Sequence, residues 1–380
     1  VNDEFNRKLE AYEKGELTDQ ELEAFEKELE KLESYQETLE NKPDEQPESA
    51  ISNKKQRRIV RKGKWKARFQ TALTALGIFM LIIILSSVLT AVYYSWGNPD
   101  RVDELREVID HTLTVTDPYG YLGGTSTITK PYFGLEATRD IKKQIGNETI
   151  KVGDLEVNFL FSSMTFPERS YMGNKSQNQS AFFFHPESDE SFNSDWDQLE
   201  KLPEGTVVSA YVSFDELLES KDVEQLFSGK QMNLLWLAVD TGMESSGNND
   251  VISNPIGFPS HPIWHEDDMI TQSHEEEEGL FGSTTVSESA SSPAYTEGDQ
   301  NMLHDQFMKT LRFLQDHEKK ANQLTFGDLR LEESINFLKS NGIQHYGAVI
   351  TGPTKEILKL QNEQLIKELK VDEVEFWNWD

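Results

Sequence analysis

The sequence has 380 residues, 67 acidic and 37 basic side chains, and a net charge of -30. That length suggests two or three folded units, and the charge excludes broad nucleic-acid binding by the chain as a whole. There is no cysteine, which excludes a disulfide framework, a thiolate–zinc site and a cysteine nucleophile together. The 36% hydrophobic content is too low for a multi-span membrane protein, yet much of it is gathered in one stretch.

At the N-terminus, Phe5, Leu9 and Tyr12 recur at i, i+4 and i+7, the spacing of a short amphipathic helix. Gly15 stands where a helix ends in the left-handed conformation. Thr18-Asp19-Gln20-Glu21 then reads as a capping box that starts a second helix. Along it Leu22, Phe25, Leu29 and Leu32 alternate in steps of three and four. The expectation for 1–41 is therefore a helical hairpin with one apolar seam per arm. A unit of about 40 residues closes only a small core, so part of the seam is expected to serve a partner. Self-association as a homodimeric coiled coil is the competing use. Pro43 and Pro47 mark a linker within 42–68.

Residues 54–68 hold nine basic side chains, among them Lys62, Lys64, Lys66 and Arg68, and no acid. From Thr71 to Tyr94 there follow 24 uncharged residues, 18 of them apolar or aromatic. At about 1.5 Å per residue such a helix is roughly 36 Å long, enough to cross a hydrocarbon core of about 30 Å. A transmembrane helix is expected within 69–96, anchored at its interfaces by Trp65 on one side and Tyr93, Tyr94 and Trp96 on the other. The Lys/Arg excess before the span places the N-terminus in the cytoplasm and 97–380 outside. Anionic lipid is the expected partner of the basic run. The stretch is longer than a signal-peptide core and is preceded by a long charged segment, so it reads as an uncleaved anchor. Residues 1–53 carry 17 acids and 6 bases, so an acidic head inside faces an acidic domain outside.

In 97–380 a stalk helix is expected at 102–111 and extended segments at 150–161, 205–214 and 232–241, with Ser213 capping a brief helix at 215–219. The acidic and Ser-rich stretch 271–300 reads as a disordered loop. Phe307, Leu311 and Leu314 mark one helix; Ile335 and Leu338 mark a second that stops before Gly342. Residues 343–351 read as a strand, Pro353 opens a helix through Leu369, and 371–377 form a terminal strand. The fold class is α+β: a short helical hairpin, one transmembrane helix, and a mixed α+β domain whose sheet is covered on one side. No Gly-x-Ser-x-Gly elbow, phosphate loop, His-Glu-x-x-His or calcium loop is present, so no catalytic residue and no cofactor is expected. His261 and His265 stand four apart, but Pro262 between them argues against a regular helix. With Glu266, Asp267, Asp268 and His274 they read as a solvated acidic loop and not as a metal site.

The run Leu9-Glu10-Ala11-Tyr12-Glu13-Lys14-Gly15-Glu16-Leu17-Thr18, followed by Glu21, resembles the paired helices of bacterial anti-sigma domains. The head lacks the His and Cys residues of their zinc-binding subclass. With the basic run, the single span and Tyr346-Gly347-Ala348-Val349-Ile350-Thr351-Gly352-Pro353, the chain resembles the membrane-anchored sigma-factor regulators. That resemblance implies a head that sequesters an extracytoplasmic-function sigma factor, such as sigma-M, until envelope stress releases it. It also implies a small companion membrane protein, with Gly77 and Ser86-Ser87 permitting close helix approach. By the resemblance and helix spacing, the expected sigma-binding residues are Phe5, Leu9, Tyr12, Leu17, Leu22, Phe25 and Leu29. An anchored extracellular ligand-binding module or enzyme with a dimerising stub is the alternative function.

Overall fold

The computed structural model describes residues 11–12, 17, 19–40, 53–172, 183–188, 194–244, 251–252, 254–278 and 284–377. The chain divides into two compact units, 1–76 and 77–380.

In the first unit, helix α1 spans Asp19–Glu40 and begins directly after Thr18, where the capping-box residues place it. Phe25 is 2% exposed, Leu22 and Leu29 are half-buried, and Leu32 and Tyr35 are exposed. Ala11 and Tyr12 are helical, and the Tyr12 ring lies 5.5 Å from that of Phe25. Phe5, Leu9 and the linker with Pro43 and Pro47 lie outside the described residues.

Helix α2, Asn53–Tyr94, runs unbroken for 42 residues through the basic run and the apolar stretch. Its segment Arg57–Tyr94 is long and apolar enough to cross a membrane. Leu73, Ile78, Phe79, Leu81 and Val92 stay exposed, as a lipid-facing helix requires. The hydroxyls of Thr71, Thr74, Ser87 and Thr90 each donate to the carbonyl four residues back, at 2.8–3.0 Å. Those polar groups are satisfied inside the helix, which lowers their cost in hydrocarbon.

The second unit contains two larger antiparallel sheets. Helix α3, Arg101–Thr116, is capped by Asp100, whose carboxylate accepts the Asp103 N–H at 2.9 Å. It is longer than the stalk expected at 102–111. Because it buries Leu105, Val108, Ile109, Leu113 and Val115, it is a core element and no stalk. The first sheet is built from β1 (Ser126–Lys130), β2 (Gly134–Ile145), β3 (Glu148–Leu160), β4 (Ser163–Met164) and β5 (Glu168–Tyr171). Strands β2 and β3 form a long hairpin closed by Gly146-Asn147. Gly146 has φ +62°, a conformation glycine adopts without a Cβ penalty.

Short strands β6 (Phe183–Phe184) and β9 (Val251–Ile252) pair with each other. The central sheet has the order β10-β8-β13-β7-β14, with β7 at Thr206–Glu219, β8 at Asn233–Val239, β10 at Gly257–Pro259, β13 at Gln344–Pro353 and β14 at Ile366–Phe376. Along β7 the side chains alternate as a strand buried on both faces should. Val208, Ala210, Val212 and Phe214 meet the helices, while Tyr211 joins Tyr119, Phe183, Trp236 and Tyr346 on the opposite face. The sheet is thus covered on both sides, not one. The helical layer includes Gln300–Asp316, burying Leu303, Phe307, Leu311 and Leu314, and Leu331–Asn341, burying Leu331, Ile335 and Leu338. Each fully buried side chain of this size contributes about 1.5–3 kcal/mol.

Three further expectations are corrected. Residues 215–219 form no helix: they continue β7, pairing Leu218 with His345 and Glu219 with Gln344, and helix starts at Ser220. Burial of Leu218 in the core outweighs the local capping signal of Ser213. The helix after Pro353 is only Thr354–Leu358, continued by a 3-10 turn at Lys359–Asn362, because β14 has already begun at Ile366. Finally, much of 271–300 is no disordered loop: β11, Ile270–Glu278, and β12, Thr284–Ser291, pair as an antiparallel hairpin. The β-branched residues Thr284, Thr285 and Val286 favour strand locally, a signal that the acidic composition of the segment masks.

Candidate functional site

Of the seven residues expected to bind a sigma factor, Phe5 and Leu9 lie outside the described residues. Tyr12 is exposed, Leu17, Leu22 and Leu29 are half-buried, and Phe25 is buried with the Tyr12 ring against it. The arrangement separates two roles that spacing alone leaves merged. Phe25 acts as core, whereas Tyr12 and, further along α1, Leu32 and Tyr35 present apolar surface.

Among the expected membrane anchors, Lys62, Lys64, Lys66 and Arg68 are exposed, and Trp65 and Trp96 are each 70% exposed. Tyr94 departs from that expectation. It is fully buried, and its hydroxyl hydrogen is shared between the carbonyls of Phe133 and Phe161, at 3.0 and 2.7 Å. A tyrosine buried this way serves the domain core and not the lipid interface, since its hydroxyl has protein acceptors that water would otherwise supply. Tyr93 packs edge-on against the Phe133 and Phe161 rings at 5.7 and 5.5 Å. Its own ring carries the Arg101 guanidinium at 4.5 Å.

The contact extends down the helix. The turn between β1 and β2 holds Tyr132 and Phe133 at φ 65° and 60°, a left-handed pair that is costly for residues with a Cβ. That conformation accompanies two hydrogen bonds to the apolar helix: Tyr132 N–H donates to Ser86 Oγ at 2.6 Å and Phe133 N–H to Thr90 Oγ1 at 2.8 Å. Ser86, expected as a small residue for helix approach, is therefore engaged by its own domain, while Gly77 has open space beside it.

A cleft of about 650 Å³ lies in the C-terminal unit, lined by Glu107 and His111 of α3, His261 and His265 of the loop after β10, Tyr121 and Trp264. The expected solvated acidic loop at 261–268 stands for His261, Glu266 and Asp267, which are exposed; His265 departs from it. His265 is 4% exposed, and its Nε2 lies 2.8 Å from Thr310 Oγ1. Lys309 binds both Asp267 and Asp268, at 2.6 and 2.7 Å, which ties the acids down. His261 packs its ring against Tyr121 at 4.8 Å, and the side chain of His274 lies outside the described residues. The His265 ring instead meets His111, 4.1 Å between centroids, and one ligand atom from each of Glu107, His111 and His265 lies within 4.8 Å of the others. Burial pushes the His111 imidazole down to about 3 and that of His265 down to about 4, so both rings are neutral at physiological pH. Burial raises the Glu107 carboxyl. The Glu107–His111 spacing of four on a helix was legible in the sequence; the arrival of His265 beside them was not.

The description "Sigma factor regulator N-terminal" matches residues 57–150, and "Sigma factor regulator C-terminal" matches residues 199–373. The probable anti-sigma-M factor YhdL of Bacillus subtilis (strain 168) is 31% identical over 387 aligned residues, covering 100% of both chains. No solved structure matches the chain. The N-terminal match begins within the basic run and takes in the whole apolar helix and the β1–β2 turn docked on it. The C-terminal match takes in the central sheet and its helices. By full-length similarity and both matches the chain belongs to the sigma factor regulators, a non-enzymatic family, and is an anti-sigma factor of the YhdL type.

Proposed function

We propose that this anti-sigma factor is a single-pass membrane protein whose N-terminal segment lies in the cytoplasm and holds an extracytoplasmic-function sigma factor. The C-terminal domain lies outside and responds to the envelope. The observation that carries this reading is the unbroken helix Asn53–Tyr94: nine cations cluster before its apolar run, and an α+β domain follows it. Such a cation bias favours a cytoplasmic N-terminus. The hydrogen bonds from the β1–β2 turn and Tyr94 support coupling between the state of the domain and the helix. An N-terminal segment of charge -11 with exposed apolar residues suits a partner having basic and apolar faces, charge aiding encounter and burial aiding retention. A small companion membrane protein would approach the helix near Gly77, where no side chain of the described residues stands in the way.

The test is co-purification of the full-length protein, in detergent, with candidate sigma subunits. Capture of an extracytoplasmic-function sigma subunit, lost in Phe25→Asp while membrane insertion persists, supports the reading. Recovery of the chain with only copies of itself counts against it. Orientation is read separately, by protease protection in spheroplasts, with accessible residues 97–380 and a protected N-terminal segment as the expected pattern.

A further inference from the structure

We infer that Glu107, His111 and His265 form a binding site for a divalent transition-metal ion, zinc by its ligand chemistry, at the wall of the C-terminal cleft. Two imidazoles and a carboxylate are ligand types that zinc accepts, with three protein ligands leaving a fourth position open. One ligand atom from each residue already lies within 4.8 Å of the other two. A tetrahedral ion with bonds of about 2.0–2.1 Å holds its ligands about 3.4 Å apart, so the three ligand atoms must draw together on binding.

The observation that points to a ligand is His111 Nε2. His111 is 6% exposed, and this nitrogen is buried with no hydrogen-bond partner among the described residues. A buried polar atom left unpaired costs about 1–3 kcal/mol, and such atoms call for an explanation. A metal bond supplies one. His265 is prepared in the complementary way. The Thr310 hydroxyl donates its hydrogen to the Gln306 carbonyl at 2.8 Å, so in its contact with Thr310 it is His265 Nε2 that carries the proton. The ring's lone pair is thereby fixed on Nδ1, and a histidine ligand oriented by a hydrogen bond through its other nitrogen is the usual outer arrangement of a metal site. The ring also caps the 266–268 turn. That turn keeps its closing bond from Asp268 N–H to the His265 carbonyl, at 3.0 Å, when the lone pair is taken by an ion. Glu107 Oε1 accepts the Glu266 N–H at 3.0 Å, which holds the carboxylate at the cleft.

The neighbouring cations do not oppose an ion with unbalanced charge. Lys309 is paired with Asp267 and Asp268, Arg139 with Asp110, and Arg106 with Asp103. The ion would join α3, which follows the apolar helix in the chain, to the loop after β10 and, through Thr310, to helix Gln300–Asp316. This inference does not depend on which sigma factor is bound.

The experiment uses full-length protein in detergent, freed of any affinity tag and stripped with a chelator. Zinc is titrated in competition with a chromophoric chelator, and cobalt(II) reports coordination by its visible absorption. One ion per chain is expected, with the intense cobalt bands of a four-coordinate site. His111→Gln and His265→Gln should each weaken zinc binding by at least about a hundredfold and Glu107→Gln by about tenfold; His261→Gln should leave it unchanged. Zinc should raise the unfolding midpoint of the wild type and not of His111→Gln. Cooperative unfolding in chelator shows that the variants are folded; where a histidine variant is not, Glu107→Gln decides. Absence of a bound ion, a pale six-coordinate cobalt spectrum, or folded ligand variants with undiminished affinity would overturn the assignment.

Discussion

The Tyr94 hydroxyl donates to the carbonyl of Phe161 at 2.7 Å, joining the last turn of the apolar helix to the strand end that follows β3. The same hydroxyl also reaches Phe133, so one side chain closes two strand turns onto the helix. Residue 94 stands at the end of the stretch that sequence alone assigns to lipid, yet its side chain is buried against the folded domain.

Tyr94→Phe removes that hydrogen bond and leaves two carbonyls without their buried donor. The expected loss of stability in the C-terminal domain is about 1–3 kcal/mol, seen as a lower midpoint in detergent. Tyr94→Ala also removes the ring from the Tyr93, Phe133 and Phe161 cluster, and the expected cost rises to about 3–5 kcal/mol. Equal midpoints for Tyr94→Phe and the wild type would show that the contact adds nothing.

Asp372 is the buried acceptor that ties the two larger sheets together. Lys143 of β2 donates to it at 2.6 Å and Tyr119 at 2.8 Å. Its removal leaves the buried Lys143 ammonium with only the longer contact to Glu373, at 3.5 Å, so Asp372→Ala should cost about 3 kcal/mol. The double variant Lys143→Met, Asp372→Leu should recover part of that loss, because the buried ammonium goes with its carboxylate partner. Denaturant unfolding of these two variants beside the wild type checks both statements.

His345 makes stability depend on pH with a definite sign. It is buried in a chain of contacts: Nδ1 lies 3.1 Å from the Ala238 carbonyl and Nε2 2.7 Å from Ser220 Oγ, which also lies 2.7 Å from His304 Nε2. Burial pushes its imidazole down to about 3. Below about 6.5 the unfolded chain takes up a proton that the folded one refuses. Its contribution is therefore complete above pH 6.5 and is lost as pH falls from there toward 3, by at most about 1.4 kcal/mol per pH unit. His345→Gln should flatten the stability profile over that window, and a slope equal to the wild type would contradict it.

Helix α1 carries both a buried and an exposed apolar set. Phe25 is buried, whereas Leu32 and Tyr35 are exposed on α1. Leu32→Glu should weaken sigma capture about tenfold or more with little change in helix content, since surface substitutions away from special features stay within about 0.5 kcal/mol in stability. Circular dichroism beside quantitative co-purification makes the comparison. Retained capture in the Leu32→Glu, Tyr35→Glu double variant would move the contact to another face.

Sequence alone determined the features set by local chemistry repeated along the chain. The apolar run of α2, its basic flank, the start of α1 after Thr18, the helix burying Phe307, Leu311 and Leu314, and the strands around Val208 and Ala348 follow from uninterrupted periodicity and capping residues. Tertiary structure alone decided whatever depends on partners distant in the chain. Whether Tyr94 meets lipid or protein depends on Phe133 and Phe161. Whether residues 215–219 coil or extend depends on pairing with Gln344 and His345. His265 joins Glu107 and His111 only because β10 delivers the following loop against α3. Local propensities amount to tenths of a kcal/mol per residue, whereas burial of a single side chain amounts to several times that, so long-range packing prevails wherever the two disagree.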